Sequence, residues 1–359
     1  MLPSDWMIYG ANGYTGTLVA EEAARRGVHP VLAGRRADAI APLAERLGCT
    51  HRVFDLADPA AATRELDGVR AVLLCAGPFS RTSRAMVDAC LARGVHYLDI
   101  TGEIPVFEAI HARSDEATRA GCVLLPGVGF DVVPSDCLAA SLAAALPGAT
   151  ELALAFTGGG PSAGTAKTML EGMPRGGAVR KDGRITRVPV AWRSATIPFA
   201  DRERSAVTIP WGDVATAYHS TGIPNIETYV AQPPRAIRAL KLSRPFIPLL
   251  GLGPVQRLAE RVIERRVTGP DAAARESGRS QLWGRVRDAA GNQVEGTATV
   301  PEGYRFTVLS ALASIERLLE GGAAVAPRAH TPSTAFGADF VTTIEGCSLR
   351  VGRPSRAAA

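Results

Sequence analysis

The sequence predicts an α/β protein in which a doubly wound parallel sheet at the N-terminus is joined to a second, mixed α/β (α+β) domain. Three observations predict it. Short β-type runs alternate with helical stretches from Trp6 to Leu125, and a glycine-rich turn links the first run to the first helix. After about Val128 the rhythm changes, and Gly- and Pro-rich connections separate the β-like runs. With 359 residues, 46% of them apolar, the chain can fill about two domains and bury a substantial core without disulfide or metal staples.

The β-type runs fall at 6–9, 30–33, 51–54, 71–75, 96–99 and 122–125. Six strands with five intervening helices require crossovers, which places helices on both faces of a parallel sheet. The first helix, expected over 14–26, sets apolar Leu18, Val19 and Ala23 against Glu21, Glu22, Arg25 and Arg26, with Gly27 where a left-handed C-terminal residue belongs. A helix over 134–145 opens the second domain, followed by β-like runs at 151–156 and 185–192. A strand at 281–287 and a turn at 288–292 precede a helix over 307–319. The expected divisions are 1–130, 131–303 and 304–350, the last a C-terminal helix and loop returning to the first domain, with 353–359 a disordered tail.

Composition excludes several classes. No run approaches about 18 uninterrupted apolar residues, so no membrane-spanning helix is expected. The N-terminus enters a strand at once, without signal-peptide anatomy, and the expected location is cytoplasmic. Six scattered cysteines lack a CxxC pair or zinc-ligand spacing, so they read as reduced structural thiols, and no metal site is expected. The net charge of +5 comes from 40 basic and 35 acidic residues without a basic, aromatic-interleaved cluster, so nucleic acid is not an expected partner. Only three of the bases are lysine: Lys167, Lys181 and Lys241.

The sharpest local signal is Gly10-Ala11-Asn12-Gly13-Tyr14-Thr15-Gly16, a GxxGxxG turn between the first strand and first helix. Glycines there permit a tight turn and close approach of a pyrophosphate, which meets free backbone N–H groups and the positive helix end, as in a Rossmann domain. The second strand ends in Arg35 and Arg36, where an NAD-specific fold offers an acid to the ribose 2′-hydroxyl. Two guanidiniums instead suit a 2′-phosphate, and the expected cofactor is NADP(H); the alternative is a solvated surface pair. Asp55 ends the third strand within reach of the adenine edge, or caps the helix beyond. Ala76, Gly77 and Pro78 end the fourth, small residues that let the chain pass close to the dinucleotide. The loops with Tyr97, Asp99, Gly102 and Glu103 and with Asp131, Ser135 and Asp136 follow the fifth and sixth strands, where ligands bind in open α/β sheets. Their alternative role is helix capping.

These residues resemble a family. The loop 10–16, the turn 75–79, 97–103 and above all Gly129-Phe130-Asp131-Val132-Val133-Pro134-Ser135-Asp136 look like the saccharopine dehydrogenase-like oxidoreductases, nearest the trans-acting enoyl reductase branch. Gly164-Thr165-Ala166-Lys167-Thr168-Met169-Leu170-Glu171 is similar to a G-T-A-x-x-x-x-E stretch of that branch. The resemblance implies an NADP-binding domain with an inserted catalytic domain, and reduction of a C=C bond in an acyl chain carried by a partner polyketide synthase. Saccharopine dehydrogenases proper handle a secondary amine and its imine, but no cluster of basic residues for a multi-carboxylate substrate is identifiable here.

A Tyr-x-x-x-Lys acid pair is absent from the sequence, which disfavours short-chain dehydrogenase chemistry. Lys167, Tyr97, Asp131 and Asp136 are the proton-transfer or polarising candidates; Lys167 alternatively is an exposed helix lysine. The run 245–253 and the helix 255–267, with Val255, Leu258, Val262 and Ile263 on one face, read as a lid over an acyl substrate, a membrane-surface contact, or a core-packed helix. The leading expectation is an NADPH-dependent reductase of an enoyl group, small-molecule, carrier-linked or lipid-like; a homodimer is the common arrangement of such enzymes and is not specified by the sequence. The alternatives are a saccharopine-type C=N or amino-acid dehydrogenase and a non-catalytic NADP(H) sensor.

Overall fold

In a computed structural model, residues 4–158, 163–267, 269–320 and 325–356 are described. The chain forms two compact units, Met1–Val133 with Phe306–Phe340, and Pro134–Arg305 with Val341–Ala359.

In the first unit, strands β1 (Trp6–Tyr9), β2 (Val31–Gly34), β3 (His51–Val53), β4 (Ala71–Leu74), β5 (His96–Asp99) and β6 (Leu124–Leu125) alternate with helices α1 (Tyr14–Arg25), α2 (Ala37–Leu47), α3 (Pro59–Arg64), α4 (Phe79–Arg93), α5 (Ile104–His111) and α6 (Ser114–Ala120). The described strands form one sheet in the order β3-β2-β1-β4-β5-β6, every pair parallel. Burial on both faces explains why β1 and β4 are unbroken apolar runs rather than alternating ones. The order reverses direction at β1 and β4, which opens a crevice at their carboxyl ends.

Two sequence expectations shift here for physical reasons. Glu22 is not on a solvent face: it is buried and paired with Arg25 at 2.7 Å and Arg26 at 2.9 Å. The sixth strand begins at Leu124 because the Cys122 N–H is engaged in closing α6 on the Ala117 carbonyl. Beyond it, Leu124 pairs in parallel with Ala329, so the sheet edge is covered by the returning chain.

The second unit begins on α7 (Val133–Ala145) and continues through β7 (Glu151–Phe156), α8 (Ala163–Gly172), β8 (Gly177–Lys181), β9 (Arg184–Val188), β10 (Ser194–Pro198), β11 (Glu203–Thr208), α9 (Asp213–Thr221), β12 (Asn225–Ala231), α10 (Pro234–Leu242), α11 (Gly253–Arg266), α12 (Ala272–Ser277), β13 (Arg279–Arg287) and β14 (Asn292–Pro301). Helix α13 (Gly303–Glu320) and α14 (Pro332–Phe336) follow, and β15 (Ser348–Val351) and β16 (Ser355–Arg356) pair with β14. Among the described residues the sheet has ten strands with the central path β10-β11-β12-β7-β13-β14-β15. Only β7 and β12 are parallel along that path.

Three further expectations are corrected. The strand expected over 185–192 stops at Val188, because Pro189 has no N–H for the ladder and Ala191 turns the chain at φ 54°. The expected tail is not wholly disordered, since Ser355 and Arg356 pair with Gln293 and Asn292; 357–359 lie outside the described residues. The segment 245–267 is not a core-packed helix. Ile247 is buried, but Phe246, Leu249, Leu252, Val255, Leu258 and Val262 are exposed.

Helix α7 meets the sheet where glycine leaves room. Gly284 and Gly296 face each other across β13 and β14, and a Cβ on Gly284 would stand 2.7 Å from Leu142 and 3.2 Å from Leu138 of α7. Gly284→Val is therefore expected to destabilise the fold by about 1–3 kcal/mol through overpacking, read as a lower urea midpoint at unchanged slope. Gly284→Ala should fall between it and the wild type.

Candidate functional site

The turn after β1 is built around Gly10. Its φ of 84° is a left-handed conformation, and a Cβ there would lie 2.8 Å from the backbone nitrogen of Ala76. The loops after β1 and β4 therefore touch backbone to backbone. Gly10 and Ala11 donate to the Ala33 carbonyl at 2.8 and 3.2 Å, and Gly13 donates to Gly10 at 3.0 Å, which closes the turn. A Cβ on Gly16 would collide with the Gly10 carbonyl oxygen, so α1 starts hard against the loop. Gly13 is the N-cap, without a side-chain cap and with no acid in the first turn, so the positive end of α1 is directed at whatever occupies the loop. Asn12 and Gly13 are exposed, while Tyr14 and Thr15 are half-buried in that first turn.

At the end of β2, Arg35 and Arg36 are both exposed, and neither makes an ion pair among the described residues. Asp55 lies close enough to share a field with Arg35 at Tyr9, whose hydroxyl is pushed up to about 12, first by burial and then by Asp55. Asp55 is not a helix cap: its carboxylate accepts from Ala57 N–H at 2.9 Å, and Asp58 caps α3.

After β4, Ala76 is held by the Thr82 hydroxyl at 2.6 Å, and the Gly77-Pro78 peptide is cis. Pro78 is the N-cap of α4, and the orphan donors there are satisfied from another loop: Glu103 accepts from Phe79 N–H at 2.7 Å and Ser80 N–H at 3.0 Å. Glu103 thus caps α4 with its side chain rather than the helix that it precedes.

The loops after β5 and β6 are tied by Asp99. It is fully buried, and its Oδ1 accepts from Thr101 N–H at 3.0 Å and Gly127 N–H at 2.8 Å, while Oδ2 accepts from the Tyr97 hydroxyl at 2.6 Å. Burial pushes this carboxyl up to about 6 against the opposing pull of those bonds. Tyr97 has no accessible surface, and its hydroxyl is held well above its ordinary range by burial and then by Asp99. The geometry makes Tyr97 a partner of Asp99, not a group presented to a ligand. From behind, α13 supports the second loop, with Thr307 accepting from Phe130 N–H at 3.0 Å and Ser310 donating to Val128 at 2.7 Å.

Asp131 lies in the loop after β6 and packs against Gly102 in the loop after β5. A Cβ on Gly102 would be 2.6 Å from the Asp131 Oδ2, so the carboxylate packs directly on the Gly102 backbone and a side chain there would have to displace it. Burial pushes the Asp131 carboxyl up to about 7, so it bears a proton near neutrality, although the residue as a whole is only half-buried. Gly102 and Asp131 are thereby brought together.

Asp136 and Lys167 belong to the second unit. Asp136 is fully buried in the first turn of α7, beside Ser135, whose hydroxyl donates to buried Asp213 at 2.6 Å. That surrounding is an interior polar cluster. Lys167 is half-buried on α8 rather than fully exposed, two residues after Thr165, whose hydroxyl is hydrogen-bonded to that of Tyr304 at 3.0 Å. The loop expected before it, 158–167, lies outside the described residues at 159–162. Sequence reading also missed Asp213 and Arg180, the latter buried with Nε on the Val214 carbonyl at 2.8 Å and its guanidinium over the Tyr218 ring.

Known proteins resemble this arrangement. Residues 6–125 match the family described as Saccharopine dehydrogenase NADP binding domain. A protein of Mycobacterium tuberculosis (strain ATCC 25618 / H37Rv) named "Putative trans-acting enoyl reductase Rv2449c" is 34% identical over 183 residues, covering 46% of this chain and 43% of that protein. The Mus musculus protein named saccharopine dehydrogenase-like oxidoreductase is 29% identical over 154 residues, 37% of this chain and 36% of that protein. The chain therefore matches less than half the length of these relatives. Apo saccharopine dehydrogenase (L-Glu forming) from Saccharomyces cerevisiae shares the fold, with a TM-score of 0.62 at 12% identity over 98% of this chain and 99% of that one. No described helix is long and apolar enough to cross a membrane.

Proposed function

We propose, from the match of residues 6–125 to the family described as Saccharopine dehydrogenase NADP binding domain, that the chain is an NADPH-dependent oxidoreductase that reduces the C=C bond of an α,β-unsaturated acyl group. The observation that carries the cofactor part is the exposed, unpaired arginine couple Arg35 and Arg36 at the end of β2, where forked donors fit a 2′-phosphate. Gly10, Gly13 and the first turn of α1 would hold the pyrophosphate, with Ala76, Gly77 and Pro78 passing beside it. Bound NADPH supplies a hydride to the β-carbon of the acceptor. Asp131, whose carboxyl is pushed up to about 7 by burial in the loop after β6, would hold the proton that the α-carbon needs. Asp99 positions both loops, and Tyr97 holds Asp99.

The acyl part of the reading is supported by the relatives named as enoyl reductases; the resemblance of the sequence at 164–171 extends it to a carrier- or lipid-linked substrate presented by a polyketide-synthase-type partner. Lys167 would then polarise the thioester carbonyl. A second reading, reduction of a C=N bond, is favoured by the relatives named saccharopine dehydrogenase-like.

Purified protein offered NADPH or NADH with enoyl thioesters, and in parallel with 2-oxoacid and amine mixtures, separates these readings by loss of nicotinamide absorbance. NADPH oxidation on the thioesters is expected; turnover only on the oxoacid–amine pairs selects the second reading, and NADPH binding without turnover on either panel leaves a sensor. Replacing Arg35 and Arg36 by alanine is expected to raise KM for NADPH by about tenfold to a hundredfold, the loss of one or two charge-assisted hydrogen bonds, with KM for NADH unchanged. Equal effects on both cofactors would remove the arginines from 2′-phosphate recognition.

A further inference from the structure

Among the described residues eleven large apolar side chains are exposed, and seven of them lie between 242 and 262. Leu242 is 78% exposed, Phe246 65% and Leu258 63%. The same stretch is the seat of the chain's positive charge. Residues 234–267 hold eight basic and two acidic side chains, so the remainder, with 32 bases and 33 acids, is nearly neutral.

The two features are arranged together. On α11, Val255, Leu258 and Val262 share an exposed face at helical spacing, and Arg257, Arg261 and Arg265 form an exposed stripe along one edge, with Arg266 at the other. Ala259 and Ile263 turn inward. Before α11, the turn carrying Phe246 and Leu249 is pinned by Arg244, which donates to the Val190 and Ala191 carbonyls at 2.8 and 2.6 Å. Trp192, the next residue in that connection, is also exposed. On α10, Arg238 and Lys241 line a groove with the hydroxyls of Ser194, Thr196 and Ser205.

We propose that the 242–266 surface docks the protein onto an anionic phospholipid bilayer, with Phe246, Leu249 and Leu258 entering the boundary between headgroups and acyl chains and the α11 arginines meeting lipid phosphates. An apolar strip edged by arginines is the pattern of an interfacial helix. A second copy of the chain is disfavoured, because pairing this face with itself sets arginine stripe against arginine stripe. Side chains that project from a turn also need a partner that can be penetrated. This inference is independent of the reaction assigned above.

Flotation of the full chain with vesicles of phosphatidylcholine alone, or with one third phosphatidylglycerol, tests it. Binding to the anionic vesicles is expected to exceed binding to neutral ones by about tenfold or more and to weaken with salt. Arg261→Glu with Arg265→Glu should remove most of that difference, and Leu249→Ser with Leu258→Ser should abolish binding, while NADPH affinity, the control for folding, stays constant. The proposal is overturned if the protein stays off both vesicles, or binds them equally. It is also overturned if an acidic acyl carrier protein or a concentration-dependent dimer is lost in the serine variant while vesicles are ignored.

Discussion

Asp99→Ala is expected to lower stability by about 3–5 kcal/mol, the range for breaking a buried hydrogen-bonded network, while Asp99→Asn should lie within about 1.5 kcal/mol of the wild type. The alanine leaves Thr101 N–H, Gly127 N–H and the Tyr97 hydroxyl facing a buried gap, three polar groups that lose one acceptor at once. Asparagine keeps an acceptor for the two amides and can donate to the tyrosine oxygen. It also removes a buried negative charge that the fold tolerates poorly, since the carboxyl is pushed up to about 6. Guanidinium unfolding of the two variants reads the contrast. Equal losses in both would show that charge, not the bonding pattern, holds the loops. Because Asp99 joins the loop carrying Gly102 to the loop carrying Asp131, the alanine variant should also lose NADPH turnover beyond its loss of stability.

What was legible in the sequence follows from the range of the interactions involved. Strands β1, β5 and β7 match their expected bounds because sheet burial writes itself as local apolar runs and alternation. The turn at Gly10 was legible for the same reason, since a strand, a glycine turn and a helix are consecutive. The Asp99 tie was not, because its second amide lies 28 residues away, and an aspartate before a helix reads equally well as a cap. Glu103 illustrates the ambiguity: it precedes α5 as a cap would, yet its side chain serves α4, 23 and 24 residues earlier. Helical periodicity identified the face made by Val255, Leu258 and Val262, but periodicity does not say whether anything covers a face. Lys167 and Asp136 carry local signals alike in kind, yet one is half-buried on a helix and the other is sealed inside.

Asp131→Asn tests a carboxyl with a raised pKa in the loop after β6. The wild-type group goes from an ordinary 3.8 to about 7 in the folded protein, with burial as the cause. Folding therefore favours the protonated form. The associated stability is complete below the unfolded pKa near 3.8 and is lost as pH rises through about 7. Asparagine cannot ionise, so the variant should be the more stable protein at pH 8 by up to about 4 kcal/mol, at about 1.4 kcal/mol for each pK unit, and should come close to the wild type near pH 4. Turnover should move in the opposite direction. If Asp131 delivers the proton for acyl reduction, wild-type activity falls above pH 7 as the carboxyl empties, and the variant loses about a hundredfold in kcat with its alkaline limb gone. Thermal unfolding at the two pH values and a pH profile of NADPH oxidation separate the outcomes. A stabilised variant that keeps full activity would leave Asp131 a buried acid packed on Gly102 with no part in the chemistry, and a variant without the pH 8 stability gain would refute the raised pKa itself.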